Sequence, residues 1–380
     1  LRLFSSGRKK IEEPQICTAS QRVTSLRTSL SGDCRVQYRL YRGLRESVPV
    51  IDAAISKLIR LIGDFELKGA DETHTTVLRD FCDNVRVGAS GTGLRQFIYS
   101  YLDQLLTYGI AVGEIVPTLS GRDIAAVCNA PLDAVELREG DSPLDVRIYS
   151  CASFTPQPVA HPELIVYTLL NPEPGKLCGN SILRGLPFVS DLLIKIFDSI
   201  GQNFERAGNL RFAVTYNPPA GASQLSSKQR VDEIAREWGR AMREGGRVCD
   251  FVSVGDVSIK AIGADNQVLD CDVPIRHVLE QIVAKLSIPP FLLGLSWSTT
   301  ERMSAQQADI LTSELEYYRG LLTPVIRWVC AGYMERIGLD PHTEVEWNNI
   351  SLQDETELAS ARLDNARAAQ LEAGLTEVKA

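Results

Sequence analysis

Histidine is scarce in this sequence. Only His74, His161, His277 and His342 occur in 380 residues, and none stands at H-x-x-x-H or comparable spacing to another ligand, which argues against a histidine-bound metal. No C-x-x-C pair occurs. The nine cysteines (Cys17, Cys34, Cys82, Cys128, Cys151, Cys178, Cys249, Cys271 and Cys330) are scattered singly and odd in number, unlike a disulfide framework or a zinc site; buried free thiols in a reducing compartment are expected. Long apolar runs are missing too. Charges interrupt each within about a dozen residues, short of the roughly 20 that a membrane-spanning helix needs. No secretory leader pattern opens the chain. It begins at Leu1 instead of Met, and a preceding segment is expected.

Catalytic signatures are equally thin. The cluster GASGTG at 88–93 has the glycines of a phosphate loop but not the Lys-Ser/Thr that would hold phosphate and magnesium, and no convincing strand precedes it; a flexible loop is predicted. There is no G-x-S-x-G elbow and no cysteine in a nucleophile's local sequence. The carboxylate pairs Asp80/Asp83 and Glu12/Glu13 sit in polar contexts where solvation is the default. The sequence thus predicts no enzyme, no metal and no cofactor, although motif reading is blind to a site assembled from distant residues.

Basic charge is also in deficit. Forty Lys and Arg against 48 Asp and Glu give a net charge of −8, whereas tight binding of nucleic acid comes from basic surface and counterion release; any contact with DNA is expected to be loose. What is present is ordinary globular composition, 44% hydrophobic and 23% charged, enough for one large domain or two or three smaller ones.

Along the chain, residues 1–35 are polar and carry Arg8, Lys9 and Lys10, so they read as an arm that orders against a partner. From Pro49, apolar residues at Val50, Ile51, Ala54, Leu58, Ile59 and Ile62 recur at helical spacing. A strand is predicted at Phe65–Lys68, a helix through Leu94–Leu105, a buried strand at IAVGEIV (110–116) and short strands with turns over 120–170. NPEPGKLCG (171–179) is a loop. After Gly185 and Pro187 comes a rod-like helix with Val189, Leu192, Leu193, Ile196, Phe197, Ile200 and Phe204 on one stripe. Residues 210–270 read as a small separate unit: a strand, a turn, a helix capped by Ser226/Gln229 with Val231, Ile234, Ala235, Trp238 and Met242 inward, then short strands. Lys228, Arg230, Arg236, Arg240 and Arg243 mark that helix's outer face as a solvated surface or a docking surface. A second rod carries Ile275, Val278, Leu279, Ile282, Val283 and Leu286 and must end before Pro289-Pro290. Phe291–Gly294 is predicted as a short buried turn. A long helix capped by Ser304/Gln307 follows, its stripe running Ile310, Leu311, Leu315, Tyr318, Leu322, Val325, with Pro324 bending it. Beyond Pro341 a strand (EVEWNNI) and a last helix through Leu358–Leu371 are expected. The predicted class is mixed α/β (α+β).

Five stretches carry a resemblance: YRGLRESVPVIDAAISKLIRLI (41–62), LLTYGIAVGEIV (105–116), GNSILRGLP (179–187), IVAKLSIPPFLLG (282–294) and ELEYYRGLLTPVIRWV (314–329). In this order the sequence resembles the portal (head-to-tail connector) proteins of tailed double-stranded DNA phages. The resemblance implies an N-terminal arm at 1–35, a wing at 36–187, a stem helix at 188–209, a clip at 210–271, a second stem helix at 272–290, a tunnel loop at 291–303, a long wing helix at 304–345 and the start of a crown at 346–380. It further implies a twelve-subunit ring at one capsid vertex, set in the major capsid protein shell. Double-stranded DNA would pass through it in weak contact, driven by a separate ATP-hydrolysing terminase, and head-completion or adaptor proteins would dock later. The protein would reside in the virion, and in the host cytoplasm during assembly, with no membrane.

Three physical points accord with these implications. An apolar-striped rod hides its stripe by packing against copies of itself around a ring. An acidic wall repeated about a pore repels phosphate, so a duplex slides without being trapped. Lacking a P-loop, the chain leaves ATP hydrolysis to a partner. Within the implied tunnel loop, Trp297, Ser298, Thr299, Thr300, Glu301 and Arg302 would face the channel, Arg302 being the cation suited to transient phosphate contact; alternatively Trp297 braces the loop against a neighbouring subunit. Two other readings stay open: a different ring or adaptor component of a phage or gene-transfer particle, and a nucleic-acid-processing enzyme such as a packaging nuclease.

Overall fold

A computed structural model describes residues 34–142, 145–153, 155–208, 211–217, 228–236, 256–262, 271–295 and 301–350. The expected arm, the capping pair Ser226/Gln229 and the last helix through Leu358–Leu371 therefore fall wholly or partly outside the described residues. The class is mixed α/β, as the sequence predicts. Two compact units form, one from the chain up to Ser190 and again from Val278, the other from Asp191–His277.

The first unit opens with α1 (Cys34–Ser47) and α2 (Pro49–Leu61). Pro49 stands at the first helical position, where its fixed φ suits the helix and its missing N–H costs nothing; Ile51, Ala54, Ile55 and Leu58 bury the inner face of α2. Then come β1 (Phe65–Lys68) and α3 (Glu72–Asn84). The sequence pattern does not announce α3, because its Thr-rich first turns carry no apolar stripe. What starts it is Asp71, whose carboxylate accepts from the His74 backbone N–H at 2.8 Å and from the His74 ring at 2.6 Å. The GASGTG segment is a tight hairpin instead of a flexible loop: β2 (Arg86–Val87) pairs antiparallel with β3 (Gly91–Thr92).

The centre of this unit is α4 (Leu94–Tyr108), lying on β4 (Ile110–Pro117) and β5 (Ile124–Asn129). Phe97, Ile98, Tyr101, Leu102, Leu105 and Leu106 are fully buried there. The Tyr101 hydroxyl, enclosed with them, lies 2.9 Å from Thr168 Oγ1 and 3.2 Å from the Ala111 carbonyl, so its polar atom is satisfied. Gln104 ties helix to sheet, donating to the Ala130 carbonyl at 2.8 Å and accepting from the Val112 N–H at 2.9 Å. After β6 (Val135–Glu139), β7 (Val146–Ser150), β8 (Gln157–Pro158) and β9 (Ile165–Leu169), the strand order is β3-β2-β5-β4-β9 in a five-stranded sheet and β6-β7-β8 in a three-stranded one. Ile110, Val112, Val135, Ile148 and Ile165 join the two sheets in one apolar cluster.

A long helix, α5 (Leu186–Gly208), runs from this unit into the second. It starts two residues before the expected 188, with Pro187 in its first turn, where proline is tolerated. In the second unit β10 (Arg211–Asn217) and β11 (Asp256–Ile262) pair antiparallel over seven residues, and between them lies α6, described over 228–236. Of the expected inward face of α6, Val231 and Ala235 are exposed and Ile234 is partly covered, while Trp238 and Met242 lie outside the described residues.

The helix α7 (Asp272–Leu286) returns the chain to the first unit, and α8 (Glu301–Ile337) follows a short 3-10 turn at Pro290–Leu293. That turn is not buried as expected: Phe291 is exposed. The helix α8 begins at Glu301, which places Ser304 and Gln307 within its first turns instead of at the expected start, and it continues through Pro324. Four-residue β12 (Glu344–Trp347) closes the unit by pairing with β1. Cys82, Cys128, Cys151 and Cys330 are buried free thiols as expected; Cys271 is only half-buried and Cys178 is disulfide-bonded, which departs from that expectation.

Candidate assembly surface

The approach to the expected channel loop is rigidly shaped. Ser287, just past α7, has φ +51°, an uncommon backbone for a residue with a side chain. Ile288 and Pro289 are buried behind it, and Gly294 turns the chain with φ +75° while Leu295 N–H donates to the Pro290 carbonyl at 3.1 Å. The turn packs against α2. Trp297, Ser298, Thr299 and Thr300 lie outside the described residues, and Glu301 and Arg302 are the first two residues of α8.

Of the five basic residues expected on one outer face, Lys228, Arg230 and Arg236 are described, all exposed on α6. They do not share a face. At 100° per residue Lys228 and Arg236 fall on one side and Arg230 on the other. Arg230 pairs with Glu233 at 3.0 Å and Arg236 Nε donates to the Asp232 carbonyl at 3.2 Å, contacts of the solvated, mixed-charge kind. Arg240 and Arg243 lie outside the described residues.

Among the described residues, α5 carries the most exposed large apolar side chains. Leu186, Ser190 and Leu193 are buried, but Phe188 is 79% exposed, Phe197 52% and Phe204 63%, with Leu192 and Ile194 open as well. By helical angle, Phe197 and Phe204 prolong the buried stripe itself into solvent, Leu192 and Ile194 lie on either side of it, and Phe188 lies almost opposite. Apolar side chains exposed at several points along one rod form a surface suited to burial against a partner. The second rod differs: Val278, Ile282, Val283 and Leu286 on α7 are already buried within the chain. The expectation that an apolar-striped rod hides its stripe against copies of itself therefore does not hold for α7.

A second exposed apolar row escaped the sequence pattern. Met303, Ile310 and Tyr317 recur every seven residues on α8 and are all exposed, while Leu311, Leu315, Tyr318 and Leu322 form the buried stripe. Ile310, expected inward, is 63% exposed. The heptad spacing was the available signal.

Three of the five resembling stretches meet at one joint. Gly109 ends α4 with φ +79°, and a Cβ on Gly179 would lie 1.7 Å from the Gly109 carbonyl oxygen, so only glycine permits this approach. Ser181 Oγ donates to the Thr107 carbonyl at 2.6 Å, and Arg45 donates to Thr107 Oγ1 at 2.8 Å and to Asp52 at 2.8 Å. Among the described residues no cluster of His, Cys, Asp or Glu is arranged to hold a metal, and no helix is long and apolar enough to cross a membrane.

No protein-family model matches the sequence, and a search of curated proteins returns no match. Solved structures do match. A chain in the virion of the native gene transfer agent (GTA) particle aligns with TM-score 0.62 at 16% identity, over 90% of each chain. A chain in the neck of the native particle, computed with C12 symmetry, aligns with TM-score 0.61 at 15% identity, over 87% of this chain and 88% of that one. A chain in the neck of the empty particle, computed with C6 symmetry, gives 0.64 at 15%, over 88% and 90%. This chain shares its fold with a chain of the GTA neck. The likeness to the GTA chains takes in nearly all of both units, although about five residues in six differ.

Proposed function

We propose that this protein is a portal subunit, one of twelve in a ring at a capsid vertex through which double-stranded DNA is packaged and ejected. The observation that carries this is the fold shared over 87% of the chain with a component of a neck computed with C12 symmetry; the ordered resemblance of the five stretches adds to it. The apolar face of α5 supports self-association, since neighbours in a ring would cover it on both sides. The net charge of −8 supports a bore that repels phosphate.

In this reading residues 36–187 with the long helix over 304–345 are the wing, α5 and α7 the stem, and the β10–β11 pair with α6 the clip. Residues 291–303 form the tunnel loop and the chain from 346 the start of a crown. Trp297, Ser298, Thr299, Thr300, Glu301 and Arg302 line the narrowest passage, Arg302 touching phosphate transiently. Lys228, Arg230, Arg236, Arg240 and Arg243 meet the terminase and then head-completion proteins. The major capsid protein holds the ring in the virion. No step of catalysis is assigned to the chain; the terminase supplies the work.

The test is packaging in an assembly extract from which the protein has been removed. Capsids form but protect no DNA from nuclease, and adding the purified protein restores protection. Normal protection without it would end the portal reading. Trp297→Ala with Arg302→Ala, added back as intact rings, should lower packaging; unchanged packaging removes the DNA-contact role alone.

A further inference from the structure

Residues 1–47 carry ten Lys and Arg against four Asp and Glu, which leaves 30 against 44 in the rest of the chain. The described part of this basic segment is α1. Its Arg39 and Arg42, three residues apart and hence on one side of the helix, are both exposed. Neither has an ion-pair partner within 4 Å among the described residues; Arg42 donates to the Tyr108 hydroxyl at 3.4 Å and feels Asp133 and Glu46 from further away. Beside them Val36 and Leu40 are 62% and 47% exposed.

An acidic patch lies on the outer face of the β1–β12 pair. Glu66, Lys68, Glu344 and Glu346 point outward there, and Glu66 lies directly across from Glu346 in the register. Lys68 bonds Glu346 at 2.6 Å, while Glu66 has no ion-pair partner among the described residues. Like charges placed opposite each other on adjacent strands destabilise the pair; Lys68, which also acts on Glu66 and Glu344, offsets part of that cost and leaves three carboxylates to one lysine, so an incoming cation would relieve the rest. Each of the two surfaces lacks what the other offers.

We propose that the Arg39–Arg42 face of α1 in one protomer docks on the Glu66–Glu346 face of the β1–β12 sheet in a second copy. This rests on the ring reading and names a polar contact that acts alongside the apolar face of α5. A protein surface fits α1 better than nucleic acid does, because Val36 and Leu40 find nothing to bury against on a phosphate backbone. A second copy is the fitting protein, because the body of this same chain carries the acidic excess. Contacts of this kind set partner orientation and association rate more than affinity and weaken with salt.

The experiment is sedimentation of the full chain, comparing wild type with Arg39→Glu/Arg42→Glu, Glu66→Lys/Glu346→Lys and the four-fold combination. Each double reversal should raise the concentration for half-assembly about tenfold at low salt, the size of one or two modest ion pairs. The four-fold variant should return close to wild type. If the lysine pair fails to fold, Glu66→Gln/Glu346→Gln takes its place and should give a smaller shift in the same direction. Reversals that assemble like wild type, or a four-fold variant no better than either double, overturn the contact. Loss of binding to a short DNA duplex with assembly intact also overturns it, in favour of nucleic acid. A wild type that never assembles at any salt overturns the ring reading itself, and the contact with it.

Discussion

The Arg319 guanidinium donates twice to the carbonyl oxygen of Ile62, from Nε at 2.9 Å and from Nη2 at 2.7 Å, across 257 residues of sequence. Ile62 caps the C-terminus of α2, where carbonyls lack helical partners. The same side chain donates to the Asn348 carbonyl at 2.8 Å and lies 5.1 Å from the centre of the Trp347 ring, while Trp347 Nε1 donates to Thr323 Oγ1 at 3.0 Å. One buried cation thus fastens α2, α8 and the end of β12 together.

Removing that cation should be costly. Arg319→Ala leaves the buried Ile62 carbonyl and the part-buried Asn348 carbonyl with fewer donors, and a loss of roughly 3 kcal/mol in unfolding free energy is expected. Arg319→Lys should recover only part of it, because an ammonium does not reproduce the planar fork. Urea denaturation monitored by tryptophan fluorescence reads both; a midpoint unchanged in Arg319→Ala would refute the clamp.

The joint between α4 and residues 179–181 makes a second demand. Gly179→Ala would drive a methyl group into the Gly109 carbonyl and its neighbours, and Gly109→Ala would add a side chain to a left-handed residue. Each should destabilise by about 1–3 kcal/mol, seen as a lowered thermal midpoint. Gly201→Ala, on α5 with open space around it, should leave the midpoint level or raise it.

Burial pushes the Cys82 thiol up to about 11 and raises Cys330 further still. Since the thiolate is the reacting form, neither should react with a disulfide reagent at pH 8 while the protein is folded, and both should react at once in denaturant. Mass spectrometry of the labelled peptides checks this. Rapid native labelling of Cys330 would contradict the packing of α8.

Exposed apolar residues on α5 should separate assembly from folding. Phe197→Ser with Phe204→Ser removes surface that lies in water in the single chain, so protomer stability should stay within about 0.5 kcal/mol. Oligomers should be lost. Sedimentation gives the second quantity and urea denaturation the first; assembly equal to wild type would show that another surface holds the copies together.

Much of this was legible in the sequence, for reasons that differ by residue. The strand Ile110–Pro117 is apolar apart from the buried Glu114 because both its faces are covered, and Ile51, Ala54 and Leu58 mark the inner face of α2 by spacing, which passed over Ile55. The helix α3 was not legible, since its start depends on a cap at Asp71 and its burial on three residues, Leu78, Phe81 and Cys82. Ile310 and Val231 were assigned to the wrong side because period alone does not say which of two apolar rows meets the core. The meeting of Gly109 with Gly179, and of Arg319 with Ile62, joins segments far apart in the chain and carries no local signal. Of the expected channel residues, the sequence located Glu301 and Arg302 next to a helix start; the structure sets that start at Glu301 itself.

The central claim is that copies of this chain close into a ring by covering α5. The most direct measurement is native mass spectrometry of the purified full chain, paired with electron-microscope images of the same sample. The account predicts one closed species of about twelve times the 41.9 kDa protomer with an open lumen. A stable monomer at every concentration, or an assembly that persists unchanged when Phe197 and Phe204 are both replaced by serine, would contradict it.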